Sequence, residues 1–230
     1  MHARTSWSVG LIAPSPTKVV EDEDGISLWM PEIPAEPVAD EVLANAYGRF
    51  ASQEMMDPGW FNRGMLRHRV VATDRIGGTA PLREEGVVPE SLRSQCEGVW
   101  RARHVILDAL DRLPLVLSHG DALPRNMIRQ EQDQVVAVDW GQLGHNTVGA
   151  DLATLALYSS AEIDSLVEAY VDGLAGAYQA NKPMVRYATI HTMALIAVLR
   201  ASRAVASKQD IDGYVSRLRK AEPVLVEASR

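Results

Sequence analysis

The run Ser118-His119-Gly120-Asp121-Ala122-Leu123-Pro124-Arg125-Asn126, followed by Val138-Asp139-Trp140-Gly141, gathers oxygen-bearing side chains into a short span. Asp121 and Asn126 flank a loop that contains Pro124. Asp139 lies near the end of an apolar run, Val135 to Trp140, that can pair as a strand with Asn126 to Arg129. Such a hairpin brings Asp121, Asn126 and Asp139 to one end of a small sheet. Two carboxylates and an amide there suit a hard divalent cation with one carboxylate left over. Phosphoryl transfer needs little else on this side of a cleft: a carboxylate to orient and deprotonate a hydroxyl, and oxygen ligands for Mg²⁺ on the nucleotide phosphates. Asp121 fits the first role, and Asn126 and Asp139 the second.

These residues must be held by the elements around them. Leu115-Val116-Leu117 reads as a third short strand leading into the loop. Upstream, Leu92, Cys96, Val99, Ile106, Leu110 and Leu113 recur at helical spacing and predict a long helix from Glu90 to Leu113 with a buried stripe. Cys96 lies on that stripe and reads as a packed thiol. Val42, Leu43, Ala46, Tyr47 and Phe50 predict an earlier helix. After Asp151 everything reads as helix, over 151–159, 161–180, 184–206 and 211–228, with Ile163, Val167, Tyr170 and Leu174 on one inward face. Residues 57–88, rich in Gly, Pro and Arg, predict no regular element. Near the start, Ile12 to Pro16 reads as a loop. Lys18-Val19-Val20, the acidic turn Glu21 to Asp24, and Ile26 to Met30 read as a hairpin, and Pro31, Pro34 and Pro37 make an extended connector.

The text H-G-D-x-x-x-x-N then D-W-G has the spacing of the protein kinase signature H-R-D-x-x-x-x-N then D-F-G. With Asp151-Leu152-Ala153 opening a helix, the segment resembles the aminoglycoside phosphotransferase and choline kinase-like family. The resemblance extends to Leu28-Trp29-Met30-Pro31-Glu32, similar to the family's hinge, and to Ala46-Tyr47-Gly48-Arg49-Phe50, similar to its first large-lobe helix. It implies an α+β fold: a mainly helical, protein kinase-like C-terminal lobe over 38–230 with a small antiparallel β element. Residues 1–37 would be a remnant hairpin and hinge of the nucleotide-binding lobe. By the same resemblance Asp121 would be the catalytic base and Asn126 and Asp139 metal ligands. Trp29, Met30 and Glu32 would lie at the adenine, and His119, Trp140 and Asp151 would support the site. ATP and Mg²⁺ are the implied cofactors, and the substrate a small molecule with a free hydroxyl. Gly120 stands where protein kinases have the Arg that pairs with a phosphorylated loop, and Gln142 to Ala150 is too short to dock a peptide.

Some parts of a kinase are missing from this text. Before the hinge the only glycines are Gly10 and Gly25 and the only lysine is Lys18, which reads as an exposed strand lysine. A Gly-rich phosphate loop and a strand Lys with a helix Glu are therefore not found. The chain is expected to have at most feeble kinase activity alone, as a fragment, a catalytically dead relative or a protein completed by another chain. A non-catalytic binding or regulatory module and a metal-dependent phosphohydrolase stand as alternatives. The truncated edge of the hairpin predicts self-association.

Asp151, just ahead of a helix, is expected to cap it. His119 beside Ser118 does not make a serine–histidine couple, because neighbouring strand residues face opposite ways. His2, His68, His104, His145 and His191 show no zinc-ligand spacing. Trp140 is expected to pack beneath the metal loop. Glu162, Asp164 and Glu168 read as a solvated face, with a cationic pocket as the less favoured reading. With 230 residues, net charge −7, 47% hydrophobic and 23% charged residues, the composition is that of a globular domain. No basic stripe offers itself to nucleic acid, and an acidic chain is more at ease with cationic or neutral small molecules. The apolar run Met193 to Leu199 is far shorter than the roughly 18–20 residues of a membrane span. The first residues lack a secretory profile and Cys96 is alone, which together imply a cytoplasmic setting.

Overall fold

The computed structural model describes residues 9–23, 25–54 and 59–229. The reading of the first seven residues, Asp24 of the acidic turn, and the start of the 57–88 stretch lie outside these. Helices dominate, and the strands form three small sheets.

Strand β1 (Leu11–Ile12) pairs parallel with β7 (Gln134–Ala137), which pairs antiparallel with β6 (Met127–Glu131). Part of the expected loop at Ile12 is thus a strand, since Leu11 is apolar enough to be wholly buried in the main core. Hairpin strands β2 (Lys18–Asp22) and β3 (Gly25–Trp29) pair with each other, Lys18 opposite Trp29 and Asp22 opposite Gly25. The connector follows without regular structure, and the Glu36 N–H donates to the Ile128 carbonyl of β6 at 2.8 Å.

Helix α1 (Asp40–Ala51) begins once the prolines end, with Asp40 and Glu41 in its first turn and Arg49 in its last, in favourable register with the helix dipole. It crosses α5 (Ile163–Leu174) at a distance only glycine permits. A Cβ on Gly48 would meet the Tyr170 carbonyl at 2.1 Å, and one on Gly173 the Asn45 carbonyl at 2.2 Å. The expected helix 161–180 stops at Leu174, because Ala175, Tyr178 and Gln179 take positive φ around Gly176. Helix α3 (Glu90–Leu110) buries Leu92, Cys96, Val99, Ile106 and Leu110, the stripe read from the sequence. Burial pushes the Cys96 thiol up to about 12, as suits a packed, unreactive group.

Helix α6 (Lys182–Ser207) runs through the core, started by the Asn181 side chain accepting the Met184 N–H at 3.0 Å. Helices α7 (Ile211–Lys220) and α8 (Glu222–Ala228) replace the single expected helix, since Pro223 has no N–H to continue it. The structure also adds elements in the stretch read as irregular: β4 (Asn62–Arg63), α2 (Met65–Asp74) and a 3₁₀ turn at Ala80–Arg83. Helix α2 buries only Met65, Val70 and Thr73, so it offers no apolar stripe to read. Likewise β8 (Gly144–Thr147) is polar in sequence but is recruited between β4 and β5 (Leu115–Ser118), with Leu115 opposite Thr147. The two larger sheets each combine a parallel and an antiparallel pair. Among the described residues no helix is long and apolar enough to cross a membrane.

Candidate active site

Strand β5 delivers the chain to a buried His119 and then to Gly120, whose φ of +81° lets the loop reverse. A Cβ there would lie 2.2 Å from the Gln142 carbonyl, so the residue must be glycine to let the two loops cross. Helix α4 (Ala150–Tyr158) closes the loop from the other side. Its capping position is Gly149, with φ +83°, and the expectation that Asp151 caps the helix is corrected. Asp151 sits in the first turn, and its carboxylate accepts the His119 N–H at 2.7 Å and the Gly120 N–H at 3.0 Å. Burial pushes this carboxyl up, and the nearby His119 and the two loop N–H groups pull the other way.

His119 is held at both ring nitrogens. Its Nε2 lies 2.9 Å from the Val138 carbonyl, and its Nδ1 lies 3.3 Å from the Asp121 N–H. That pairing assigns the proton to Nε2, donating to Val138, and leaves Nδ1 to accept. Trp140 packs against His119 and Phe50, with ring centroids 4.6 and 5.6 Å apart, and its indole N–H donates to Ala137 at 2.8 Å. From α1 the buried Tyr47 hydroxyl donates to the Ala122 carbonyl at 3.2 Å. Burial first, and then the charge of Asp151, raises the Tyr47 pKa well above its ordinary value and keeps it a donor.

Asn126 ends a 3₁₀ turn, Pro124–Asn126, and its amide NH₂ donates to the Asp121 carbonyl at 2.8 Å, with a longer 3.5 Å approach to Asp121 Oδ2. With the NH₂ so engaged, the amide oxygen faces away from Asp121. The Asn126 carbonyl accepts the Val138 N–H at 2.9 Å, which ties it to the chain leading into Asp139. The strand expected to run to Trp140 ends at Ala137, and Asp139 turns left-handed with φ 62° and ψ 56° ahead of a 3₁₀ turn at Trp140–Gln142. This sparsely populated geometry leaves the Asp139 side chain exposed, with no hydrogen bond or ion pair among the described residues. An amide oxygen and an uncommitted carboxylate on hydrogen-bonded neighbours suit Mg²⁺, which takes one or two protein oxygens and completes its shell with phosphate and water. No group of three or more His, Cys, Asp or Glu gathers for a metal among the described residues, here or elsewhere.

The residues expected at a hinge make no hydrogen bond or ion pair with Asp121, Asn126 or Asp139 among the described residues. Trp29, Met30 and Glu32 are exposed, and the Trp29 carbonyl accepts both the Thr17 N–H at 2.7 Å and its hydroxyl at 3.0 Å. Asp164 and Glu168, weighed as pocket residues, bind Arg186 at 3.0 Å and Lys182 at 3.6 Å on the surface, as a solvated face would.

The sequence reading missed Arg69 and Arg200. Asp121 Oδ1 lies 3.4 Å from Arg200 and 4.0 Å from Arg69, and Arg69 also reaches the Gly120 carbonyl at 3.4 Å. Arg200 further donates to the Tyr158 hydroxyl at 3.0 Å. One signal was the pair Arg200 and Arg203, one turn apart and following the apolar run Met193 to Leu199.

Among curated proteins, none matches this sequence. Solved structures do match in fold. The GDP complex of a mutant aminoglycoside 2'-phosphotransferase IIIa superposes with a TM-score of 0.68 at 10% identity, over 96% of this chain and 78% of that one. A choline/ethanolamine kinase family protein from Mesorhizobium loti gives 0.63 at 18% identity, over 94% and 77%. An aminoglycoside phosphotransferase from Alicyclobacillus acidocaldarius gives 0.60 at 15%, over 92% and 70%. The likeness at these identities is one of architecture, a kinase-like fold with a helical lobe. The model of the phosphotransferase enzyme family matches residues 27–184, well over half of the sequence and the whole corner around Asp121, and by that match the chain belongs to this family.

Proposed function

We propose that the corner built by Asp121, Asn126 and Asp139 serves transfer of the ATP γ-phosphate to a hydroxyl of a small molecule. The observation that carries this reading is that the Asn126 NH₂ is spent on Asp121, which leaves its amide oxygen, like the exposed Asp139 carboxylate, without a hydrogen bond among the described residues. In the reaction Asp121 takes the proton of the acceptor hydroxyl, the acceptor oxygen bonds to the γ-phosphorus, and the bond to ADP breaks. Mg²⁺ held by Asn126 and Asp139 would supply charge neutralisation on the phosphates. His119, Trp140 and Asp151 fix the loop that carries Asp121, and Trp29, Met30 and Glu32 lie where the adenine would meet the chain.

Gly10 and Gly25 do not supply a phosphate-covering loop. A Cβ on Gly10 would lie 2.1 Å from the Ala46 carbonyl of α1, so this glycine is used in packing, and Gly25 opens strand β3. Residues 10–12 therefore pack with the lobe proposed for 38–230, and within the remnant proposed for 1–37 it is the exposed hairpin β2–β3 that stands apart. The lack of a phosphate-covering loop among the described residues supports a second reading, a nucleotide- or ligand-binding module of the same lobe with little turnover. The phosphohydrolase reading asks for further acidic ligands beside Asp121, and its neighbours are arginines instead.

Calorimetric titration with ATP and Mg²⁺, joined to a turnover assay over candidate acceptors, separates these. Binding with Asp121-dependent transfer supports the first reading, binding without transfer the second, and phosphate release without ATP the third. Turnover of the 230 residues is expected below about 1 s⁻¹, the low end for kinases. The exposed apolar hairpin supports self-association through its edge, and a strictly monomeric sedimentation profile overturns that part.

A further inference from the structure

Beside Asp121 lies an open cavity of about 580 Å³, lined by residues of α2, the C-terminal half of α6 and the ends of α4 and α7. Four arginines line it: Arg69, Arg125, Arg200 and Arg203. Asp121 is the one acidic residue among its described lining residues. Leucines 123 and 199 supply apolar surface, and the Tyr158 ring is held between Arg200 and Arg217, whose guanidinium carbons lie 5.6 and 4.5 Å from its centroid. Arg217 is itself paired with Asp210 at 3.2 Å and is not spare.

The charges in this cavity are poorly balanced. Arg200 and Arg69 share a single carboxylate oxygen, Asp121 Oδ1, with side chains only 16% and 29% exposed. Arg125 and Arg203 carry no hydrogen bond or ion pair among the described residues. Burial, and then the neighbouring charge of Arg200, lowers the Arg69 pKa. Several guanidiniums converging on one cavity with one carboxylate between them present many more donors than acceptors, and a planar fork of donors matches carboxylate and phosphate oxygens. The two oxygens of Asp121 also face different ways, Oδ1 toward the arginines and Oδ2 toward Asn126. The carboxylate therefore stands between the proposed metal side and the cavity.

We propose that this cavity receives the anionic group, a phosphate ester or a carboxylate, of a hydroxylated small molecule whose hydroxyl is presented to Asp121. The proposal rests on the phosphoryl-transfer reading for the fate of the hydroxyl, and on the cavity alone for the sign of the substrate. It reverses the expectation of a cationic or neutral ligand drawn from net charge, since the local field at Asp121 is set by the arginines and not by the chain total.

The test is calorimetric titration of the purified chain with glucose 6-phosphate, gluconate, glucose, choline and kanamycin, without nucleotide. Either anion is expected to bind about tenfold or more tightly than glucose and both cations, and to weaken as salt is added. Arg125→Ala and Arg203→Ala, at exposed positions whose loss spares the core, are each expected to weaken anion binding about tenfold with the circular dichroism spectrum unchanged. Arg200→Lys keeps the charge and loses the fork, and a similar loss is expected. Binding of the phosphate ester alone or of gluconate alone supports the proposal and identifies the anion. Preference for choline or kanamycin, no anion binding, or unchanged anion affinity in both alanine variants overturns it. ATP with Mg²⁺, titrated in parallel, reads the other assignment separately. Anion binding without any ATP binding removes phosphoryl transfer and leaves the cavity assigned. Asp121-dependent transfer to choline does the reverse, and so does Arg203→Ala weakening ATP while sparing the anion.

Discussion

The loop corner and the N-terminal hairpin are both built from short strands of ordinary β-forming residues, yet they end in opposite environments. In β7 Val135, Val136 and Ala137 are buried between β1 and β6 and under α1, whereas in the hairpin Ile26 and Trp29 remain 67% and 62% exposed. Strand propensity and alternation are similar in the two, so the difference is one of cover. The corner is further held by a net of buried polar contacts: Asp151 on two loop N–H groups, His119 between Asp121 and Val138, Tyr47 on Ala122. Every member of such a net costs stability when its partner is removed, and none of the hairpin's apolar side chains stands in that position.

Substitutions should divide along this line. The largest effect is expected for Asp151→Ala, which leaves the His119 and Gly120 N–H groups buried without an acceptor. At about 1–3 kcal/mol for each orphaned donor, urea unfolding should register a loss of about 2–6 kcal/mol. A variant as stable as the parent would mean that water or another group satisfies the loop. Next comes Gly120→Ala, which combines a left-handed residue with a methyl driven onto the Gln142 carbonyl; a loss of about 2–3 kcal/mol in the same assay is expected, with weaker Mg²⁺-ATP binding.

A smaller, pH-dependent effect follows from the buried Asp151 carboxyl. Its pKa is raised in the folded chain above the usual 3.8, so the folded state holds this proton to higher pH than the unfolded chain does. The stability gained by protonation is present below the ordinary carboxylate range and is lost as pH rises through the folded value. Asp151→Asn does not titrate, and the difference in unfolding free energy between parent and variant should slope in that window and level off above it. A flat difference across the window would show that the two loop N–H groups fully offset the burial. The smallest effect belongs to the hairpin. Leu28→Ser should leave stability within about 0.5 kcal/mol, while sedimentation velocity reports less association than for the parent. A loss comparable to that in the corner would mean that the hairpin is covered in solution.

Legibility in the sequence follows the same physics. The long α3 helix could be read from Leu92 to Leu110 because one face is wholly buried and the apolar spacing records it. The family of the loop around Asp121 could be read because its residue types recur at fixed separations within a short stretch of chain. Helix α2 left no such record. One of its faces looks onto the cavity, where Arg69, Ala72 and Thr73 stand in place of a continuous apolar stripe. Strand β8 also could not be read, because Gly144-His145-Asn146-Thr147 becomes a strand only through the partners on either side. Asp151 was legible as a helix-start residue, but whether it capped its own helix or reached back to another loop depended on where the fold sets the first turn of α4 against the loop after β5.

By itself the sequence determined the helical lobe and the β6–β7 hairpin after the loop, because each of these is encoded by local spacing. The tertiary structure alone decided what surrounds Asp121. Arg69 comes from α2 and Arg200 from α6, far apart along the chain, and they meet at one carboxylate oxygen only because both helices pack beside the loop. The sign of the field at a cavity is a sum over charges brought together in space, and neither net charge nor residue spacing along the chain contains that sum.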